Sequence, residues 1–180
     1  MGIDTQDAFI DALATLSEEK NIEQITVKDL AAEVGVSSQT FYNYYKDKYD
    51  LLGCAYKKRV GALLDEYLRD RCTWGEFMLE YLKSFRQRAR FIRDAYSHIN
   101  GQGSYRLLST SYLVVQIEKH IAMKKDLPRL TDEDHITLVH YFGGNTYIIE
   151  NWLRTDMMAS EEFLAKILVD AVPESLKRYF

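Results

Sequence analysis

Proline is almost missing from this chain, with two in 180 residues and the first only at Pro128. A stretch that long without proline lacks the residue that breaks helices and stiffens linkers. Cysteine is equally scarce: Cys54 and Cys72 make neither a disulfide framework nor a metal-ligand spacing, and they read as reduced, cytoplasmic thiols. Long hydrophobic runs are lacking as well, since charge interrupts every one before it reaches the roughly 18 to 20 residues of a membrane span. The expectation is a soluble protein with no membrane partner. The amino terminus has no basic start, apolar centre or small-residue cleavage site of a signal peptide. Positive charge is in deficit, 23 Lys and Arg against 27 Asp and Glu for a net −4, which at first argues against a nucleic-acid partner.

Local charge changes that reading. Residues 1–36 carry Lys20 and Lys28 against eight acids, whereas residues 37–60 carry Lys46, Lys48, Lys57, Lys58 and Arg59 against Asp47 and Asp50. The sign flips at Gly35. With 47 % hydrophobic residues the chain can bury a real core, as one domain or two small ones.

Helical periodicity runs throughout, so the expected fold is all-α. Phe9, Leu13 and Leu16 stand at i, i+4, i+7 in a first helix from about Asp4 to Lys20. Val27, Leu30, Ala31 and Val34 repeat the pattern, opened by a capping pair of Thr26 and Asp29 and closed by Gly35. A third helix is expected from Ser37 to near Tyr45, and a fourth, capped by Asp47, to about Arg69. Longer helices follow at roughly 73–98, 104–125, 131–155 and 160–179, separated by NGQG, DLPRL and TDMMAS. The expected division is a three-helix unit at 1–47 and a helical regulatory and dimerisation domain at 48–180.

Residues 26–52 read TVKDLAAEVGVSSQTFYNYYKDKYDLL. Two short helices about a glycine-containing turn are the makings of a helix-turn-helix, whose second helix enters the major groove. At 100° per residue Phe41 and Tyr45 face the first two helices, while Gln39, Tyr42, Asn43 and Lys46 point away. Glutamine can pair bidentately with adenine, and lysine and tyrosine can contact phosphate. Ser38 and Thr40 lie in the first turn, Lys48 follows the helix with the backbone in reach, and Thr26 can offer its helix amino terminus to a phosphate.

The same stretch resembles the amino-terminal signature of the TetR family of transcription regulators. The resemblance rests on Thr26 and Val27, Leu30 and Ala31, Gly35 to Ser37, Thr40 to Tyr42, Tyr45 and Lys48, and covers about residues 8–58. It implies that Ser38, Gln39, Thr40, Tyr42 and Tyr44 face DNA, with Thr26, Lys28, Tyr42 and Lys48 at the backbone or flanking bases. Periodicity instead puts Tyr44 nearer the edge of the core. Where relatives commonly have glycine after Ser38, this chain has Gln39. The resemblance further implies a homodimer on a double-stranded operator, acting as a repressor under a small-molecule effector. The run from Gly144 to Trp152 and Leu153 also resembles a Gram-positive subgroup with a variant carboxy-terminal domain. An alternative is a regulator that works through a protein coactivator, with that domain holding a partner rather than a ligand.

In the carboxy-terminal part, Phe77, Tyr81, Phe85, Ile92 and Tyr96 form one helical stripe. With Tyr112 and Tyr141 opposite, it is a candidate effector pocket or simply core. Lys83, Arg86, Arg90 and Arg93 form a basic stripe on the other side, a solvated face or an anion site. Val139 to Leu153 is apolar around much of its circumference, and Gly143, Gly144, Tyr147 and Trp152 are candidate interface residues. Enzyme chemistry has little support: His98, His120, His135 and His140 have no i, i+4 pairing, and no nucleotide-loop or nucleophile motif is present. No metal or cofactor is expected.

Overall fold

The computed structural model describes residues 4–98 and 105–180. The NGQG connector and the side chain of His98 lie outside them. The described residues form nine α-helices, and no strand occurs among them: α1 (Thr5–Ser17), α2 (Val27–Val34), α3 (Ser38–Tyr42), α4 (Lys48–Leu68), α5 (Trp74–Arg86), α6 (Ala89–His98), α7 (Tyr105–Lys124), α8 (Asp132–Arg154) and α9 (Glu161–Asp170). Short 3-10 turns occupy Ile22–Gln24 and Lys177–Tyr179. The all-α expectation holds, and none of these helices is long and apolar enough to cross a membrane.

Caps explain where the helices begin. Asp4, Thr26, Ser37, Thr73, Thr131 and Ser160 each accept a backbone N–H of the first turn, and Thr26 with Asp29 and Thr73 with Glu76 form complete capping boxes. Two boundaries depart from expectation. The helix expected over 73–98 is two helices, α5 and α6, with Gln87 as the C-cap of α5. The helix expected over 160–179 stops at Asp170. Pro173 explains the second departure, because the residue before a proline is pushed out of the helical region. No glycine or proline marks the first, which follows from where the two halves pack.

The chain forms two compact units. One comprises the residues up to Arg59 together with Arg88–Tyr105, and the other comprises Val60–Gln87 with Arg106–Phe180. The division falls inside α4 rather than before it at 47/48, and the amino-terminal unit takes up α6. Its core contains Phe9, Leu13, Ile22, Ile25, Leu30, Phe41, Leu51 and Ile92, all fully buried. Here α1 packs on α2, α2 on α3, and α6 on α1 and the Ile22–Gln24 turn.

In the second unit α5 packs along α9. Trp74 stacks on Phe77 at 4.8 Å, Phe77 on Tyr81 at 5.7 Å, and Tyr81 meets Phe85 edge-on at 4.7 Å. Leu82, Leu138, Phe142, Ile149, Leu153 and Leu168 fill the rest of this core.

Candidate nucleic-acid interface

The turn between α2 and α3 is built on Gly35, at φ +76° and ψ 32°, a left-handed conformation that costs other residues. The Val36 N–H closes on the Ala31 carbonyl at 2.9 Å. Ser37 then caps α3 through the Thr40 N–H at 3.2 Å, and its hydroxyl lies 3.0 Å from that of Thr40. Helix α3 has five residues rather than nine, although Asn43 and Tyr45 still bond back to Gln39 and Phe41 at 3.2 and 3.0 Å.

Aromatic packing sets which side faces out. Phe41 is fully buried and edge-on to Phe9 at 5.2 Å. Tyr45 is buried, its hydroxyl donating to the Gln6 carbonyl at 3.1 Å, and burial pushes its phenol up to about 12. With these two anchored inward, Gln39, Tyr42, Asn43, Tyr44 and Lys46 are exposed and Ser38 and Thr40 half-buried. Tyr44 is 41 % exposed, so it belongs with the outward set and not with the core edge suggested by periodicity. The exposed group offers an amide pair, phenol hydroxyls and an ammonium within eight positions, which suits hydrogen bonding to base edges and phosphates.

Thr26 and Lys28, at the start of α2, are exposed as well. The Thr26 hydroxyl is already engaged with Asp29, accepting its N–H at 3.1 Å and donating to its carboxylate at 2.7 Å. The bond from that hydroxyl, then the one from the Thr26 N–H, holds the Asp29 carboxyl down at about 2. An anion at the start of α2 is therefore present already.

Lys48 departs furthest from its expected place. Its ammonium donates to the carbonyls of Ile22, Glu23 and Ile25 at 2.8, 2.6 and 3.0 Å, which uses all three of its donors inside the protein. Burial lowers its pKa, partly offset by Glu23 and Asp94. Lys58 is paired with Asp7, and Arg59 reaches the Tyr105 hydroxyl at 3.5 Å. Lys28, Lys46, Lys57, Arg88 and Arg90 are further exposed cations on this unit.

The other expected sites are redistributed. Phe77, Tyr81 and Phe85 are 1, 2 and 0 % exposed and belong to the core of the second unit, whereas Tyr96 lies in the amino-terminal unit, edge-on to Tyr105 at 4.9 Å. The break at Gln87 divides the stripe between α5 and α6 and between the two units. Tyr141 is bonded on both sides of its hydroxyl, and the Tyr112 hydroxyl would lie 2.9 Å from a Cβ at Gly61. A cleft of about 620 Å³ opens beside Trp74, Gly75, Val169 and Phe180, with none of the expected pocket residues in its lining. The basic stripe is divided by the same break. Lys83 pairs with Glu80, Arg86 pairs with Glu161 and donates to the Met157 carbonyl, and Arg90 and Arg93 lie on α6.

Of the expected interface residues, Gly143, Gly144 and Tyr147 have open sides: a Cβ at either glycine would meet nothing within 4 Å, and Tyr147 is 58 % exposed. Trp152 does not belong with them. It is buried, its Nε1 donates to the Ala159 carbonyl at 2.9 Å, and the Arg86 guanidinium lies 5.7 Å from its ring.

Comparison with curated proteins returned no match. Among solved structures, the dihydroxyacetone kinase operon activator DhaS shares the fold with a TM-score of 0.66 at 18 % identity, covering 98 % of each chain. The fatty acid degradation regulator FadR from Bacillus halodurans gives 0.61 at 18 % identity over 93 % of this chain and 94 % of its own. FadR from Bacillus subtilis, in complex with stearoyl-CoA, gives 0.56 at 16 % identity over 93 % of this chain and 97 % of its own. Residues 9–53, which run from within α1 to the second turn of α4, match the family model described as bacterial regulatory proteins of the tetR family. The helix-turn-helix just described lies wholly within that match, so residues 9–53 carry the amino-terminal domain of the TetR family of bacterial regulatory proteins.

Proposed function

We propose that the chain acts as a homodimer whose two α3 segments read one operator, with Ser38, Gln39, Thr40, Tyr42 and Tyr44 toward the bases and Thr26, Lys28 and Lys46 toward the backbone. The observation that carries this is the sorting of one short segment: Phe41 and Tyr45 are 0 and 4 % exposed, while Tyr42 and Tyr44 are 54 and 41 % exposed. The unit 1–47 expected to hold the site then works together with α6. Repression is the simpler sense of regulation, because a protein that occupies promoter DNA needs no contact with the transcription machinery to block it.

Pairing is supported by the apolar outer side of α8 and α9. Ile136, Val139, Tyr147 and Ile148 on α8 and Phe163 and Ile167 on α9 are between 40 and 66 % exposed, more apolar surface than a lone helix pair usually leaves open. Gly143 and Gly144 lie on this side of α8 and would let a second backbone come close. Effector control is supported by the fold, since one structural neighbour carries stearoyl-CoA. The effector must bind the DNA-competent and DNA-incompetent arrangements unequally, or it shifts nothing. A bacterial regulator of this kind works in the cytoplasm, where two half-buried free thiols, Cys54 and Cys72, stay reduced.

Selection from a random duplex library with the full-length protein tests the proposal. The expected product is a palindromic site with half-sites about one helical turn apart. Failure to enrich any duplex would remove DNA reading from the proposal.

A further inference from the structure

The 3-10 turn Ile22–Gln24 leads through Ile25 and Thr26 into α2, and its own N-cap Asn21 provides no side-chain hydrogen bond. Two side chains from elsewhere in the amino-terminal unit hold it. Asp94 of α6 accepts the Ile22 N–H, and Lys48 at the start of α4 donates to the Ile22, Glu23 and Ile25 carbonyls. The acid stands at the end of the turn that presents N–H groups, and the cation at the end that presents carbonyls. Each charge therefore meets the pole of opposite sign. Both side chains are half-buried, and Ile22 and Ile25 between them are 0 % exposed.

From this geometry we infer that Lys48 and Asp94 are positioning residues for DNA reading: they key the entry to α2 between α4 and α6, and α2 carries α3. The inference rests on the DNA-binding reading above and gives Lys48 a role other than phosphate contact. Lys48 stands three residues after Tyr45, whose ring anchors the end of the recognition segment, so the same stretch of chain is fixed to the core and to the turn. With its three donors occupied, the ammonium has none left for a phosphate unless the turn is released. Asp94 makes the distinction sharp. A carboxylate in a DNA-binding unit opposes phosphate, so electrostatics alone makes its removal tighten binding, whereas positioning makes its removal weaken binding.

The test uses the full chain and the duplex that the wild type selects from a random library, with affinity measured against salt concentration. Lys48→Met and Asp94→Ala are each expected to weaken binding about ten-fold or more, the scale of lost hydrogen bonds to a charged group. The salt slope should stay unchanged in both. Lys46→Ala, the comparison, should flatten it by about 0.9. Flattening of the same size in Lys48→Met, or unchanged or tighter binding by Asp94→Ala, overturns the inference. Asp94→Asn keeps an acceptor for Ile22 and should bind nearly as the wild type does. Should the variants fold poorly, amide hydrogen exchange of the wild type decides: Ile22 is expected to be protected, and a freely exchanging Ile22 amide overturns the clamp. A wild type that selects no duplex fails the DNA-binding reading, a result distinct from all of these.

Discussion

Trp74 and Tyr141 share a buried hydrogen bond, Nε1 to phenol oxygen at 3.1 Å, and Tyr141 in turn donates to the Leu168 carbonyl at 2.8 Å. Leu168 stands in the last turn of α9, where carbonyls lack an intrahelical partner. The phenol thus serves α5 and α9 at once, and burial raises its pKa. Tyr141→Phe keeps the ring but strands one donor and one acceptor. Thermal or urea unfolding is expected to show a loss of about 2–4 kcal/mol, on the scale of two buried unsatisfied groups. A loss near zero would mean that water replaces the phenol.

Gly35 poses a different kind of constraint. Nothing lies within 4 Å of the place a Cβ would take, so the cost of a side chain there is the backbone angle alone. Gly35→Ala should destabilise the amino-terminal unit by about 1–2 kcal/mol, and Gly35→Asn by less, because asparagine tolerates the left-handed region. Urea midpoints of the three proteins give the order Gly, Asn, Ala from most to least stable.

For reading of bases and of backbone, two exposed residues of the same segment should behave differently. Gln39→Ala is expected to relax base preference at one position of the selected duplex by about 1–3 kcal/mol. Lys46→Ala should weaken all sequences alike and reduce the salt dependence by about one ion. Binding to a panel of single-base variants separates the two, and an unaltered base preference in Gln39→Ala removes direct reading by that residue.

Short-range chemistry was legible from the residues. Thr26 with Asp29, Thr73 with Glu76, Gly35 and the inward pair Phe41 and Tyr45 all follow from spacings of three to five positions, and each stands as expected. What escaped depends on partners far along the chain. Lys48 reads as a phosphate ligand until the carbonyls of Ile22 and Ile25 are beside it, and Tyr96 reads as a continuation of the Phe77 stripe because no local breaker divides α5 from α6. Trp152 has the composition of an interface residue, but its Nε1 finds Ala159 within its own chain. Only the early end of α9 had an available signal, Pro173.

Acid should loosen the start of α2. The Asp29 carboxyl is held at about 2 in the fold by Thr26, below the ordinary value of 3.8, so its contribution is complete above the unfolded pKa. That contribution fades as pH falls from about 4 toward 2. Asp29→Asn has no carboxyl to titrate. The stability gap between wild type and variant should therefore shrink across that window and stay constant above about pH 5, as read from urea midpoints against pH.

The apolar side of α8 and α9 separates pairing from folding. Tyr147 and Phe163 are 58 and 60 % exposed and the chain itself covers little of them, so Tyr147→Asp or Phe163→Asp should leave helical content intact. Either charge placed in a dimer seam would be buried without a partner, a cost of several kcal/mol that is met twice across a two-fold axis. Sedimentation should therefore show dimer for the wild type and monomer for both variants, with operator affinity falling as the second half-site contact is lost. Trp152→Ala is the opposite case: it empties a buried site, and about 3–5 kcal/mol of fold stability should go with it. A dimer that survives both aspartates would put the pairing surface elsewhere on the chain.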